Sequence, residues 1–307
     1  MKHRGERLLC LRRAQSVVGR MWQAGVMTLA IDSLLAEHHL ASLAWICAQS
    51  AGTFLKDQRP REIEIDTKSS GSDLVSEMDR GAEALIVDLI TSARPDDSIL
   101  GEEGADRTGS SGVRWIIDPL DGTVNYLFGI PLWGVSVAIE IDGEVQVGVI
   151  SIPETHKSYV GIVGVGAFCI TGESIEKLQV RESKDLSRAL LSTGFGYSAT
   201  RRRLQAEVLT EVLPKVADVR RSGCAVVDLC WLASGLFDAY YETGLNPWDY
   251  AAGALIVTLA GGQVVAPIDG DLGKLLVASS PGIFTEFSQM LRAVGAHDVL
   301  LKESQVL

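Results

Sequence analysis

The sequence predicts an α+β half followed by an α/β half. Three observations predict it. Helical periodicity dominates before residue 94. Short apolar runs separated by turn signals, including Asp142-Gly143 after GVSVAIEI, fill residues 98–171. After about residue 185, strand-like runs alternate with amphipathic stretches. The 307 residues suffice for one large domain or two smaller ones around sizeable cores. A hydrophobic share of 47% and a charged share of 22% describe an ordinary globular protein. The net charge of −11 disfavours non-specific binding to nucleic acid or anionic membranes, which needs a basic face.

The first 26 residues hold six Lys/Arg and one acid. They read as a basic tail outside the fold, or as a chain start placed ahead of Met27. A targeting segment, Arg-rich and acid-poor, is the alternative. Residues 27–184 form the first half and 185–307 the second. Leu34, Leu35, His38, Ala41 and Trp45 recur at helical spacing and predict a helix over 28–58. REIEID, 61–66, alternates like a strand, and 76–93 returns to a helical pattern ending before Pro95. SIL, VRWIID, GVSVAIEI, EVQVGVISI and SYVGIVGVGAF then read as a run of antiparallel strands.

In the second half, strands are expected at ALLSTGF, VADVR, FDAYYE, QVVAP and LLVAS. Helices are expected over 200–213, 224–235, 249–260 and 281–294. YAAGALIVTLAGG is too short to cross a bilayer. No repeat or low-complexity linker separates the halves, so they are expected to share an interface. The five cysteines include no CxxC pair and read as reduced, mostly buried thiols of a cytoplasmic protein.

Three acidic clusters end apolar segments: Glu102-Glu103 in ILGEEG, Asp118 and Asp121 in WIIDPLDGTVNY, and Asp249 in NPWDYAAG, with Glu242 seven residues earlier. Carboxylates gathered at strand ends repel one another unless a cation sits among them. An all-oxygen set suits a hard cation such as Mg²⁺. The five histidines lie outside these motifs, which argues against zinc and a histidine nucleophile. In DPLDGT, Pro119 is expected to stop the strand, Gly122 to permit a tight turn and Thr123 to cap a helix. The Leu120 carbonyl and the free N–H groups of that helix would then face cations and an anion such as phosphate.

Each piece alone has a plainer reading. Glu102-Glu103 suits a solvated loop, DPLDG suits turn chemistry, and Asp249 suits an N-cap. Cys224 reads as a small buried thiol, and Trp115 and Trp248 as core. The ordered occurrence of all the clusters favours a site. The D-x-D-G-T signature of haloacid-dehalogenase phosphatases is one residue shorter than this D-P-L-D-G-T, which argues against an aspartyl-phosphate. The alternating ligands of an EF-hand are absent.

GEEG, WIIDPLDGTVNY, RRSGCAVVDLC and DAYYETGLNPWDYAAGALIV, in this order, resemble the inositol monophosphatase family. TKSSGSDLVSEMD resembles its mobile lysine loop and the aspartate that follows, so the resemblance spans about 28–295. TGFGYS and DVRRSG resemble bacterial members of the extragenic-suppressor branch. The resemblance implies the layered αβαβα sandwich of the sugar-phosphatase superfamily. It implies Mg²⁺-dependent hydrolysis of a small phosphate monoester, most simply myo-inositol 1-phosphate. The implied step is direct in-line attack by a metal-bound water.

By resemblance, Glu102, Asp118 and the Leu120 carbonyl bind one metal, and Asp118, Asp121 and Asp249 a second. Glu102 and Thr123 orient the water, Asp79 holds the Thr123 hydroxyl, and Lys68 sits on a closing loop. Gly122 and Thr123 hold phosphate, while Gly223, Cys224, Ala225 and Glu242 contact the alcohol. Cys224 and Val226 stand where the pattern has a small hydroxy residue or alanine, which bears on substrate and not on metal. Lithium sensitivity and a homodimer are also implied. Histidinol phosphate, fructose 1,6-bisphosphate and a 3′-phosphonucleotide are alternative substrates. A binding role in a transcription complex is the alternative of a different class.

Overall fold

The computed structural model describes residues 34–35, 38–59, 70–267 and 274–306. The basic segment 1–26, the strand expected at 61–66 and Lys68 lie outside the described residues. Helix α1 spans His39–Gln58 and α2 spans Ser70–Ala93. Of the helix expected over 28–58, Leu34, Leu35 and His39–Gln58 are helical with an N-cap at His38, and residues 28–33 lie outside the described residues. Helix α2 begins earlier than the expected 76–93.

Eight strands follow: β1 (Ser98–Gly101), β2 (Asp106–Arg107), β3 (Val113–Asp121), β4 (Gly134–Ile141), β5 (Glu144–Ile152), β6 (Lys157–Ile162), β7 (Gly166–Thr171) and β8 (Ser174–Lys177). A short helix, α3 (Thr123–Phe128), separates β3 from β4. The strands form one sheet in the order β2-β1-β3-β4-β5-β6-β7-β8, antiparallel except for the parallel pair β1/β3.

The second half contributes β9 (Leu190–Thr193), α4 (Ala199–Val212), β10 (Asp218–Arg220), α5 (Ala225–Ala233), β11 (Ala239–Thr243), α6 (Pro247–Leu259), β12 (Gln263–Val265), β13 (Leu275–Ser279), α7 (Pro281–Ala293) and α8 (Val299–Val306). Its sheet runs β10-β9-β11-β13-β12. It is mixed: β9 is parallel to β10 and β11, while β13 is antiparallel to β11 and β12. The stretch between Val265 and Leu275 is shorter than the dozen or so residues a parallel crossover needs, so β12 and β13 pair antiparallel.

Alternation along the strands builds three cores between five layers. Ile117 packs with α1 and α2 on one face of the first sheet, and its neighbour Ile116 packs with α5 and α6 on the other. Tyr240 and Leu276 face that middle helical layer, whereas Tyr241 and Val277 face a third core under α4 and α7. The order helices, sheet, helices, sheet, helices is the layered αβαβα sandwich. Helix α6, from the second half, lies against β4, β5 and β6 of the first sheet. The ends of β1, β3 and β11 and the starts of α5 and α6 therefore meet at one cleft.

Candidate active site

In a regular strand, residues three apart face opposite sides. Asp118 and Asp121 escape that rule through a β-bulge. Asp118 pairs with Ser136 of β4 and Asp121 with Gly134, so β3 advances three residues while its partner advances two. Both carboxylates consequently line the same cleft. Pro119 does not stop the strand as expected; it sits inside the bulge, where its missing N–H costs no ladder bond. The N-cap of α3 is Gly122, not Thr123, because the chain turns there through the left-handed region at φ 85°. Thr123 is the first helical residue, and its hydroxyl donates to the Leu120 carbonyl at 3.1 Å instead of to Asp79.

Asp118 is fully buried. Its Oδ1 accepts the Leu120 N–H at 2.9 Å, and its Oδ2 has no hydrogen-bond partner among the described residues. Glu102 leaves the end of β1 in a turn pinned by Glu83 of α2, which accepts the N–H groups of Glu103 and Ala105, both at 2.8 Å. Asp249 sits in the first turn of α6 in a reciprocal capping box with Asn246, whose N–H reaches Asp249 Oδ2 at 2.6 Å. Its cap role and its place in the site thus coexist. Asp121 Oδ2 accepts the Val226 N–H at 2.7 Å and the Cys224 thiol at 3.2 Å, at the start of α5.

One oxygen each from Glu102, Asp118 and Asp249 falls within 4.8 Å of the others. Asp121 lines the cleft beside this trio but is not part of it. Crowding shows in the protonation of the group. Burial first, then Glu102, Asp121 and Asp249, pushes the Asp118 carboxyl well above its usual range. Burial and the Asp121 charge raise Asp249 to about 8. Glu102 is pushed up to about 7, chiefly by withdrawal of its carboxyl from water, with the Asp121 and Glu103 charges adding to the rise. Asp121 is also raised by burial, against the N–H groups that hold it. Behind them Asp79 is buried, its Oδ1 without a hydrogen-bond partner among the described residues, and burial with Glu102 and Glu103 lifts it to about 8. Unpartnered buried carboxylate oxygen and an all-oxygen donor set fit a hard divalent cation.

The cleft encloses about 230 Å³. Leu120, Gly122, Thr123, Gly223, Cys224, Ala225 and Glu242 complete the lining expected from the sequence. Glu242, at the end of β11, accepts the Tyr240 hydroxyl at 2.6 Å, and burial pushes its carboxyl up to about 7. A Cβ on Gly194 would overlap that carboxylate, so a glycine there makes room for it. Cys224 is a buried thiol, raised well above its usual range by burial.

Sequence reasoning did not single out Glu83, Arg201, Tyr197 or Arg221. Glu83 stands four residues after Asp79 on one helix face, a usable signal. Arg201 lies in a run of three arginines with nothing local to single it out. Among the described residues no helix is long and apolar enough to cross a membrane.

A model of the inositol monophosphatase family matches residues 37–298. The inositol-1-monophosphatase SuhB of Mycobacterium tuberculosis strain H37Rv is 40% identical over 270 residues, 82% of this chain and 93% of that protein. A Nus factor SuhB of Vibrio cholerae is 35% identical over 86% of this chain and 99% of its own. The solved structure of Mycobacterium tuberculosis SuhB superimposes with a TM-score of 0.73 at 38% identity, covering 84% of this chain and 97% of that one. With its layers, its carboxylate trio and these matches, the chain belongs to the inositol monophosphatase family.

Proposed function

We propose that the protein hydrolyses a small phosphate monoester with Mg²⁺ as cofactor, most simply myo-inositol 1-phosphate to inositol and phosphate. The observation that carries this reading is the approach of Glu102, Asp118 and Asp249 within 4.8 Å. These residues, Asp121 and the Leu120 carbonyl would hold the cation. When bound, it supplies a Lewis acid that draws in phosphate oxygens and makes water more acidic.

The chain's own groups do the rest. Glu102 and the Thr123 hydroxyl orient the attacking water, and Glu102 takes a proton from it. Asp79 fixes charge and protons behind Glu102, and Lys68 keeps only the role that the family resemblance implies for it. The N–H groups of Gly122 and Thr123 face the phosphate, while Gly223, Cys224, Ala225 and Glu242 meet the alcohol. Lithium sensitivity, a homodimer and a cytoplasmic location belong to the same reading and rest on the family resemblance.

Relatives named Nus factor raise a second reading, a binding role in a transcription complex. The carboxylate trio favours catalysis, because a binding module has no use for crowded carboxylates, one of them fully buried, that repel each other. The test is phosphate release by the purified chain with Mg²⁺ on inositol 1-phosphate, histidinol phosphate, fructose 1,6-bisphosphate and a 3′-phosphonucleotide. Release from inositol 1-phosphate supports the reading; release from none of them overturns it.

A further inference from the structure

The proposed alcohol acceptor, Glu242, has two carboxylate oxygens in unlike surroundings. Tyr240 and Glu242 alternate with Tyr241 along β11, so both side chains leave the same face of the strand. The Tyr240 ring is fully buried against the middle helical layer, and its hydroxyl donates to Glu242 Oε2 at 2.6 Å. Oε1 accepts no hydrogen bond from a described residue, and Glu242 lines the cleft. Tyr240 does not line it, so whatever it does for a bound molecule it does through Glu242. The cations of the cleft wall do not share this task. Arg201 Nε donates to Glu303 Oε2 at 2.7 Å. Arg221 acts by charge on Glu242 and on the buried Asp228. Burial pushes the Glu242 carboxyl up to about 7, and the Tyr240 hydroxyl is the strongest of the influences that oppose the rise.

We propose that Tyr240 is a positioning residue for substrate choice: it ties Oε2 of Glu242 inward and presents Oε1 alone to a hydroxyl of the alcohol. The inference rests on the phosphatase reading. A free glutamate side chain samples several rotamers, and fixing one of them on binding costs entropy. A bond to a buried phenol removes that freedom before the alcohol arrives, which is preorganisation. Gly194 completes the seat, since a Cβ there would overlap the carboxylate. The plainer reading is that a buried tyrosine needs an acceptor and Glu242 supplies it for the fold alone. Against it stands the open Oε1 in the cleft lining. A pair that served only the fold could be replaced by two apolar side chains at little cost.

The test is a double-variant cycle on the full chain with Mg²⁺: Tyr240→Phe, Glu242→Gln and both together, each assayed on myo-inositol 1-phosphate and on p-nitrophenyl phosphate. Tyr240→Phe should lower kcat/KM for inositol 1-phosphate by roughly 10-fold, the lower end for a hydrogen bond to a charged group. The loss on p-nitrophenyl phosphate, which has no hydroxyl for Oε1, should be much smaller. In the Glu242→Gln background the same change should cost less than about twofold on inositol 1-phosphate, because Tyr240 acts only through the carboxylate. Thermal melts check the folding of each variant. Should Tyr240→Phe not fold, Gly194→Ala reaches the same contact from the other side: it keeps the phenol and displaces the carboxylate from it, and the loss should again fall on inositol 1-phosphate. An undiminished kcat/KM for inositol 1-phosphate in Tyr240→Phe overturns the proposal. So do equal losses on both esters in either variant, or a loss that persists in full when Glu242 is already Gln. In those cases the unmodified chain still hydrolyses inositol 1-phosphate and this inference alone fails. If the unmodified chain hydrolyses neither ester, the phosphatase reading fails and takes this one with it.

Discussion

The Cys224 thiol lies 3.2 Å from Asp121 Oδ2, the same oxygen that accepts the Val226 N–H at 2.7 Å. Asp121 is thereby tied to the start of α5 through one oxygen. The thiol acts as a donor, and burial raises it well above the ordinary cysteine value. Replacing Cys224 with Ser keeps a donor in nearly the same place. We expect Cys224→Ser to retain kcat/KM within about threefold. Cys224→Val, which leaves the buried oxygen with one donor fewer, should cost about 1–2 kcal/mol of transition-state stabilisation, or roughly 5–30-fold. Mass mapping after iodoacetamide should leave Cys47, Cys169, Cys224 and Cys230 unlabelled in the folded protein, because all four are buried. Rapid labelling of Cys224 would show an accessible, reactive thiol instead.

Asp118→Asn should abolish phosphate release while preserving the fold. The amide oxygen can still accept the Leu120 N–H, and the unpartnered charged oxygen is gone. In EDTA the variant should melt at the unmodified temperature or roughly 1–4 °C above it, since a like charge leaves a buried cluster. Near-normal turnover at saturating Mg²⁺ would remove Asp118 from the cation site.

The metal-free protein should lose stability as pH rises from about 4 to about 8. Asp79 and Asp249 are raised to about 8 and Glu102 to about 7 in the fold, while unfolded carboxyls titrate near 4. Across that window the folded state binds more protons than the unfolded chain, so stability falls with pH. Asp97, held low by Arg94, Ser111 and Trp115, acts with the opposite sign below about pH 4 and does not offset the slope. Melting temperature in EDTA should therefore drop between pH 5 and 8. Mg²⁺ should flatten the slope, and calorimetry should register proton release on binding. A melting temperature that rises over this range in EDTA would contradict the assignment.

Glu242→Gln should lower kcat/KM for inositol 1-phosphate by roughly 10–150-fold, the value of a charged hydrogen bond to the alcohol. The loss on p-nitrophenyl phosphate, which has no ring hydroxyls, should be much smaller. Gly194→Ala should show the same split between substrates, because the added Cβ displaces the Glu242 carboxylate. Equal losses on both substrates would place Glu242 in support of the metal site.

The acidic clusters were legible because each ends an apolar run, and the motif order made them a site. The bulge that turns Asp118 and Asp121 to one side was not, since it exists only in the register of β3 against β4. Pro119 read as a strand stop for the same reason: locally it is one, and only the paired strand makes it a bulge residue. The N-cap fell one residue early because Gly122 takes a left-handed conformation that Thr123 would not tolerate. Arg201 and Glu303 are 102 positions apart, so no local pattern could join them. The final helix, Val299–Val306, was missed with them; it is short and follows a Gly295 turn.

The most direct test follows inorganic phosphate released from myo-inositol 1-phosphate by the purified chain through a cycle of Mg²⁺, EDTA and restored Mg²⁺, with Asp118→Asn alongside. Release is expected with Mg²⁺, none in EDTA, recovery on adding Mg²⁺ back, and none from the variant at any stage. Turnover that persists after exhaustive chelation, or a variant as active as the unmodified protein, would contradict Mg²⁺-dependent hydrolysis at this site.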